Sequence, residues 1–264
     1  MTQTIHAIDI SHWQVVTSFA NIKASGVIGV FNKCTEGTTY VDATYDPRLL
    51  QARAAGLKWG AYHYLKHGLV QQQMQHFLGH IKLPAGSRVA IDYEDGNCTL
   101  DDLQQALAVL SGLDPSLQIA VYAGGLLKGQ VKHDQKYPWL EPYPLWLAQY
   151  TTGTPSWPTN IWPAWSLWQF SSKGAVPGIK GDCDVNTFNG SAENCAAWFG
   201  PVGSQTPSPP PPPPVDRVMI DIQTPPGVDV LVTVNGIAQG ASPKMNAGED
   251  NISTPPQTTD GPKT

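Results

Sequence analysis

The feature that most constrains this chain is an alternation of short apolar strands with helical stretches, sustained over about 195 residues. Segments 5–10, 27–33, 57–64, 88–91, 118–123, 144–150, 166–170 and 181–185 read as strands. Among the early ones, 19–25, 47–55, 70–81 and 100–110 carry apolar residues at helical spacing. Gly26 and Gly56 close the first two helices, and Thr99 or Asp101 can cap the fourth. Strand–helix alternation argues for a mostly parallel sheet, and eight strands suggest a closed barrel. Helical content thins after residue 120, so the expected barrel is irregular there.

In barrels of this kind the chemistry sits at the carboxyl ends of the strands. Asp9, Glu36, Asp92, Glu94 and Asp184 all fall at such ends. Closure makes the first and last strands neighbours and brings Asp9 beside Asp184. Asp92 and Glu94 are two residues apart, so an extended backbone points both to the same side. Each carboxylate then raises the energy of the other's charge. One is pushed towards its protonated form near neutral pH, as a general acid requires. Asp182 shares the parity of Asp184. His63 has the opposite parity to Tyr62 and Tyr64 and reads as structural, while Glu36 reads as an ion-pair partner of Lys33.

Charge and composition narrow the partners. A net charge of -5 without a basic run argues against nucleic acid. No apolar run reaches the ~20 residues that span a bilayer. The first residues lack a basic segment followed by an apolar one, so no secretory signal is expected. Four cysteines are too few for a disulfide framework. A Cys183–Cys195 bridge and free thiols both remain open. The histidines show no paired ligand spacing, so neither zinc nor another cofactor is expected.

The character changes after Gly200. We expect a domain over residues 1–200, a stiff proline-rich linker over 201–214, and a small β-like, partly disordered region over 215–264. Within the last, 215–222 and 228–234 read as a hairpin around Thr224-Pro225-Pro226-Gly227, followed by a polar 241–264. Two or three strands bury little core, so this tail points to a partner, such as the cell wall.

Several motifs in order carry a resemblance over about residues 5–199. They are Asp9-Ile10-Ser11-His12-Trp13-Gln14, Lys33-Cys34-Thr35-Glu36-Gly37-Thr38, Gly60-Ala61-Tyr62-His63-Tyr64, Asp92-Tyr93-Glu94, Leu145-Trp146-Leu147-Ala148-Gln149-Tyr150, Leu167-Trp168-Gln169-Phe170 and Asp184-Val185-Asn186. The series resembles the family 25 glycoside hydrolases, the Chalaropsis-type lysozymes. The resemblance implies a (β/α)5(β)3 barrel, irregular and TIM-like, with five helical crossovers and three closing antiparallel strands. It also implies cleavage of the β-1,4 bond from N-acetylmuramic acid to N-acetylglucosamine in bacterial peptidoglycan. By position, Glu94 would be the general acid, its pKa raised by Asp92 and partial desolvation. Asp92 would orient the substrate's acetamido group, with retention by substrate assistance favoured over a protein nucleophile or base. Asp9 and Asp184 would complete the acidic floor.

Tyr62, Tyr64, Tyr122, Trp146, Tyr150 and Trp168 would line the sugar groove beside Asp182, with Tyr62 and Trp146 foremost. A signal-less, monomeric wall hydrolase fits a phage endolysin made in the host cytoplasm and released through a holin, or a virion-associated lysin. Two other readings stay open on the same barrel: a non-catalytic glycan-binding module and a structural virion protein.

Overall fold

The computed structural model describes residues 3–201, 231–234 and 237–241. Along the first stretch run β1 (Ala7–Ile10), β2 (Val15–Val16), α1 (Phe19–Ala24), β3 (Gly29–Glu36), β4 (Tyr40–Val41), α2 (Tyr45–Ala54), β5 (Lys58–Tyr64), α3 (Val70–His80) and β6 (Arg88–Tyr93). There follow α4 (Leu100–Leu113), β7 (Gln118–Ala123), α5 (Gly125–Gln130), β8 (Leu145–Ala148), β9 (Leu167–Gly174), β10 (Ile179–Lys180), β11 (Cys183–Phe188) and α6 (Ala192–Trp198).

Eight strands close into a barrel in the order β1-β3-β5-β6-β7-β8-β9-β11, with β4 added at the end of β3. Neighbours from β1 through β9 run parallel, and β11 is antiparallel to both β9 and β1. The expectation of three closing antiparallel strands is therefore corrected. Only the last reverses, because a short hairpin through β10 returns the chain from β9 directly into β11. The five crossovers are α1 to α5, and the sequence reading missed the short α5 and the terminal α6.

Strands covered on both faces need apolar residues on both, so β1 and β6 are buried at every position. Outside the sheet, α4 buries Leu103, Ala106, Leu107 and Leu110, one stripe at helical spacing. Thr99 starts it in a capping box with Asp102, satisfying amide donors at both residues. Each large apolar side chain fully buried in this layer contributes roughly 1.5–3 kcal/mol. Gly56 ends α2's turn at φ 74, the left-handed region where a Cβ is costly.

The barrel interior is a separate, smaller core. Phe199, just after α6, stacks on Phe31 at 4.9 Å between ring centroids. Phe31 in turn packs on Trp146 at 4.5 Å, and Trp146 meets Tyr122 edge-on. Below this column, α6 plugs the amino-terminal end of the barrel. Arg88 donates to the Trp198 carbonyl from Nε and to the Phe199 carbonyl from its amide, and Lys58 Nζ donates to that of Gly200. The opposite, carboxyl-end mouth is left for polar groups.

The chain divides into two units, residues 1–206 and 207–264. In the second, β12 (Leu231–Val234) pairs antiparallel with β13 (Ile237–Ala241). The expected hairpin is thus partly corrected: the partner of 231–234 lies downstream. Segments 215–222, 224–227 and 242–264 lie outside the described residues. Asn235-Gly236, a strong hairpin dipeptide, is the sequence signal that points to the observed pairing.

Candidate active site

The carboxylates converge at the mouth. Asp9 is on β1 and Asp92 on β6, both buried and inward-facing. Glu94 lies one residue beyond the end of β6 and is exposed at the rim, and Asp184 is the second residue of the antiparallel β11, so it also reaches the mouth. Asp184 stands opposite Asp9 in the strand register, as barrel closure requires.

Asp9 is held by amides. Gln169 Nε2 donates to both its oxygens at 3.0 Å, and Asn186 Nδ2 donates to Oδ2 at 2.8 Å. Gln169 Oε1 accepts the hydroxyls of Tyr122 and Tyr150, each at 2.9 Å. Asn186 Oδ1 accepts from Trp146 Nε1 at 2.6 Å. The aromatic column thus ends in two amides whose donors point at one carboxylate. Asp92 differs: its Oδ1 is buried with no hydrogen-bond partner among the described residues.

Burial pushes all four acids upward, and repulsion from neighbouring carboxylates adds to it for Asp9, Asp92 and Asp184. Burial is the main cause for Asp9, followed by the charge of Asp184, against the hydrogen bonds from Asn186 and Gln169. Asp184 is raised by burial and then by Glu94. Asp92 is held well above the carboxylate range by burial and then by Glu94, with Lys33 opposing. Glu94 is raised by partial burial, again against Lys33. The expectation that Asp92 lifts Glu94 is therefore amended. Repulsion within this pair falls on Asp92, the more deeply buried member.

Lys33 also faces inward, at 9 % exposure. Its ammonium pairs with Glu36 and lies 4.7 Å from the Tyr64 ring centroid. Lys66 Nζ joins Glu36 at 3.3 Å and Asp95 at 3.0 Å, and is likewise 4.7 Å from the Tyr64 ring. Glu36 thus sits in an ion-pair network, matching its structural reading.

The aromatic expectations divide. Tyr62, Tyr64, Tyr122 and Tyr150 gather around the acids, whose charges help raise their hydroxyl pKa values beyond the effect of burial. Trp146 is 1 % exposed and supports Asn186 from below, so it has no face free for a sugar. Trp168 points to the outer layer, packing on Trp165 and Phe170 while its Nε1 donates to the Gln149 carbonyl at 2.7 Å. Strand parity explains the second. Leu167 and Gln169 face inward, so Trp168 between them cannot. Asp182 precedes β11, is exposed and makes none of the site's hydrogen bonds. His63 is buried on the outer side between Thr35 and Gln73, and burial holds its pKa down to about 4. The sequence reading assigned no role to Gln169 or Asn186. Their inward parity with Leu167 and Asp184 was the available signal.

The model of the glycosyl hydrolases family 25 matches residues 8–179. The chain belongs to this family. It is similar to the autolytic lysozyme of Clostridium acetobutylicum, with 32% identity over 186 residues, 69% of this chain and 55% of that protein. Among solved structures it resembles the lysozyme from Streptomyces coelicolor, with TM-score 0.66 and 23% identity, covering 75% of this chain and 98% of that one. It also resembles the CTP1L endolysin, with TM-score 0.59 and 28% identity, covering 69% and 65%. This family 25 chain is a glycoside hydrolase of the lysozyme class.

Proposed function

We propose that the chain is a muramidase that hydrolyses the β-1,4 bond between N-acetylmuramic acid and N-acetylglucosamine in peptidoglycan. Glu94 is the general acid. It lies at the rim, where it reaches the glycosidic oxygen, and partial burial keeps a proton on it to higher pH than a free carboxyl would hold. Asp92 lies beneath and orients the muramoyl acetamido group, whose carbonyl oxygen attacks the anomeric carbon as the leaving group departs. Water then opens the resulting oxazolinium ion with net retention. Asp9 and Asp184 position sugar hydroxyls and the water.

The observation that carries this reading is the unpartnered, buried Oδ1 of Asp92. A buried polar atom without a partner costs about 1–3 kcal/mol, and an incoming amide N–H removes that cost. The deciding experiment measures reducing-sugar release and product masses from purified peptidoglycan, with Glu94→Gln beside the parent. Muropeptides ending in reducing N-acetylmuramic acid, lost in the variant, support the assignment. Release of reducing N-acetylglucosamine, or undiminished activity of Glu94→Gln, overturns it.

We further propose an endolysin role, with the enzyme made in the host cytoplasm and reaching the wall through a holin. Similarity to the CTP1L endolysin supports this. Expression in a host should lyse cells only when a holin or a membrane permeant is supplied. Lysis without either argues against it.

A further inference from the structure

Trp13 is 79 % exposed, the most exposed large apolar side chain among the described residues. It does not sit on a loose loop. The turn after β1 is closed by the Gln14 amide donating to the Ser11 carbonyl at 3.1 Å and the Ser11 amide donating to Gln14 Oε1 at 2.8 Å. From α2, the Arg48 guanidinium then donates to both ends of that turn, at 2.7 Å to the Ser11 carbonyl and 2.5 Å to that of Gln14. His12 backs Trp13 with ring centroids 4.5 Å apart. His12 is itself fixed by its amide to Asp42 Oδ2 at 2.8 Å and by Nδ1 to the Tyr40 hydroxyl at 2.9 Å.

This platform is continuous with the acidic mouth. Tyr64, whose hydroxyl feels the charge of Glu94, lies 4.7 Å from Lys33 Nζ. The same ammonium is 5.4 Å from the Tyr40 ring, and Tyr40 packs on His12 at 5.9 Å. Tyr64, Tyr40, His12 and Trp13 thus form one ridge leading away from the carboxylates. A rigid, wet aromatic ridge suits pyranose rings, whose C–H faces stack on aromatic faces without the platform having to become ordered.

We propose that Trp13, backed by His12 and Tyr40, is a distal sugar subsite that binds a pyranose of the glycan strand beyond the two joined at the cleaved bond. The proposal rests on the glycan-hydrolase reading of the mouth and extends it to a chain of sugars. Its consequence is a preference for long, unbroken strands over short fragments.

Calorimetric binding tests this with stem-free glycan oligomers of two and four disaccharide units, in a Glu94→Gln background that prevents turnover. The longer oligomer should bind more tightly, and adding Trp13→Ala should remove about five- to tenfold of that gain. Trp13→Phe should keep most of it. In parallel, the Trp13 indole N–H resonance, assigned by its loss in Trp13→Phe, should move with the longer oligomer and stay still with the shorter. This second measurement holds even if Trp13→Ala does not fold. No gain with length, a gain kept by folded Trp13→Ala, or an unmoved resonance overturns the proposal. Failure of the muramidase reading looks different: the unsubstituted chain then releases no reducing N-acetylmuramic acid from peptidoglycan, whatever the binding ratio.

Discussion

Asp9 and Asp184 face each other as register partners across β1 and β11, one of the two antiparallel seams of the barrel. Closure alone brings the two carboxyls together, and burial ensures that neither ionises freely.

The pair makes stability depend on pH. Asp184 ionises from its ordinary 3.8 in the unfolded chain, and from about 6 in the fold. Between those values the fold retains a proton that the unfolded chain has lost, so its stability falls as pH rises through that window and is level above it. Asp184→Asn is neutral throughout and removes the fall. Thermal melts should match the parent near pH 4 and exceed it above about pH 6, by about 1–2 kcal/mol after discounting for partial exposure. It should also relieve Asp9, which Asp184 holds up. Equal melts at all pH values would refute this.

Lys33 opposes the upward shift of both Asp92 and Glu94. Lys33→Met removes that positive charge, so both acids should retain their protons to higher pH. With Glu94 as the proposed general acid, the alkaline limb of the pH–rate profile should move up, and the acid limb should follow if ionised Asp92 is needed. Glu36 keeps Lys66 as a partner, which limits collateral unfolding. A profile that drops in height without moving would show that Lys33 acts on packing alone.

The four cysteines settle a question the sequence left open. Cys183 packs in the layer outside the sheet and Cys195 in the barrel interior, so the wall of the barrel separates them. All four are free and buried, and burial raises their thiol pKa values, to about 12 for Cys98 and Cys195. The melting temperature should be unchanged by reductant. A disulfide reagent should react slowly with the folded chain and count four thiols after denaturation. Fewer than four would reveal a bridge.

What was legible in the sequence followed from short-range periodicity. Strand ends placed Asp9, Asp92 and Asp184 at the carboxyl-end mouth, and helical spacing located α2, α3 and α4 within a few residues. Two kinds of fact were not legible. Whether an aromatic is a wall or a floor depends on its height in the barrel, which alternation does not encode, so Trp146 looked like a groove residue and is a support. The orientation of β8 and β9 depends on how the intervening loops cross, and the long, helix-poor segment 131–144 gives no periodic signal. Gln169 escaped notice because an amide is unremarkable until its partners are known.

Gln169 is where those partners meet. Its Nε2 donates to Asp9, and its Oε1 accepts from Tyr122 and Tyr150. Gln169→Leu strips Asp9 of one donor and leaves two hydroxyls short of an acceptor, of which Tyr122 is the buried one. The loss should be about 2–4 kcal/mol, nearly independent of pH. Gln169→Glu keeps the acceptor for both tyrosines but replaces the donor by a group that becomes a second negative charge beside Asp9. Its damage should grow as pH rises, because ionising the new carboxyl next to a buried acid is opposed by repulsion and burial. Melts of both variants near pH 5 and pH 8 separate the two effects. A pH-independent Gln169→Glu would mean that Asp9 does not sense the charge at that position, which the shared hydrogen bonds rule against.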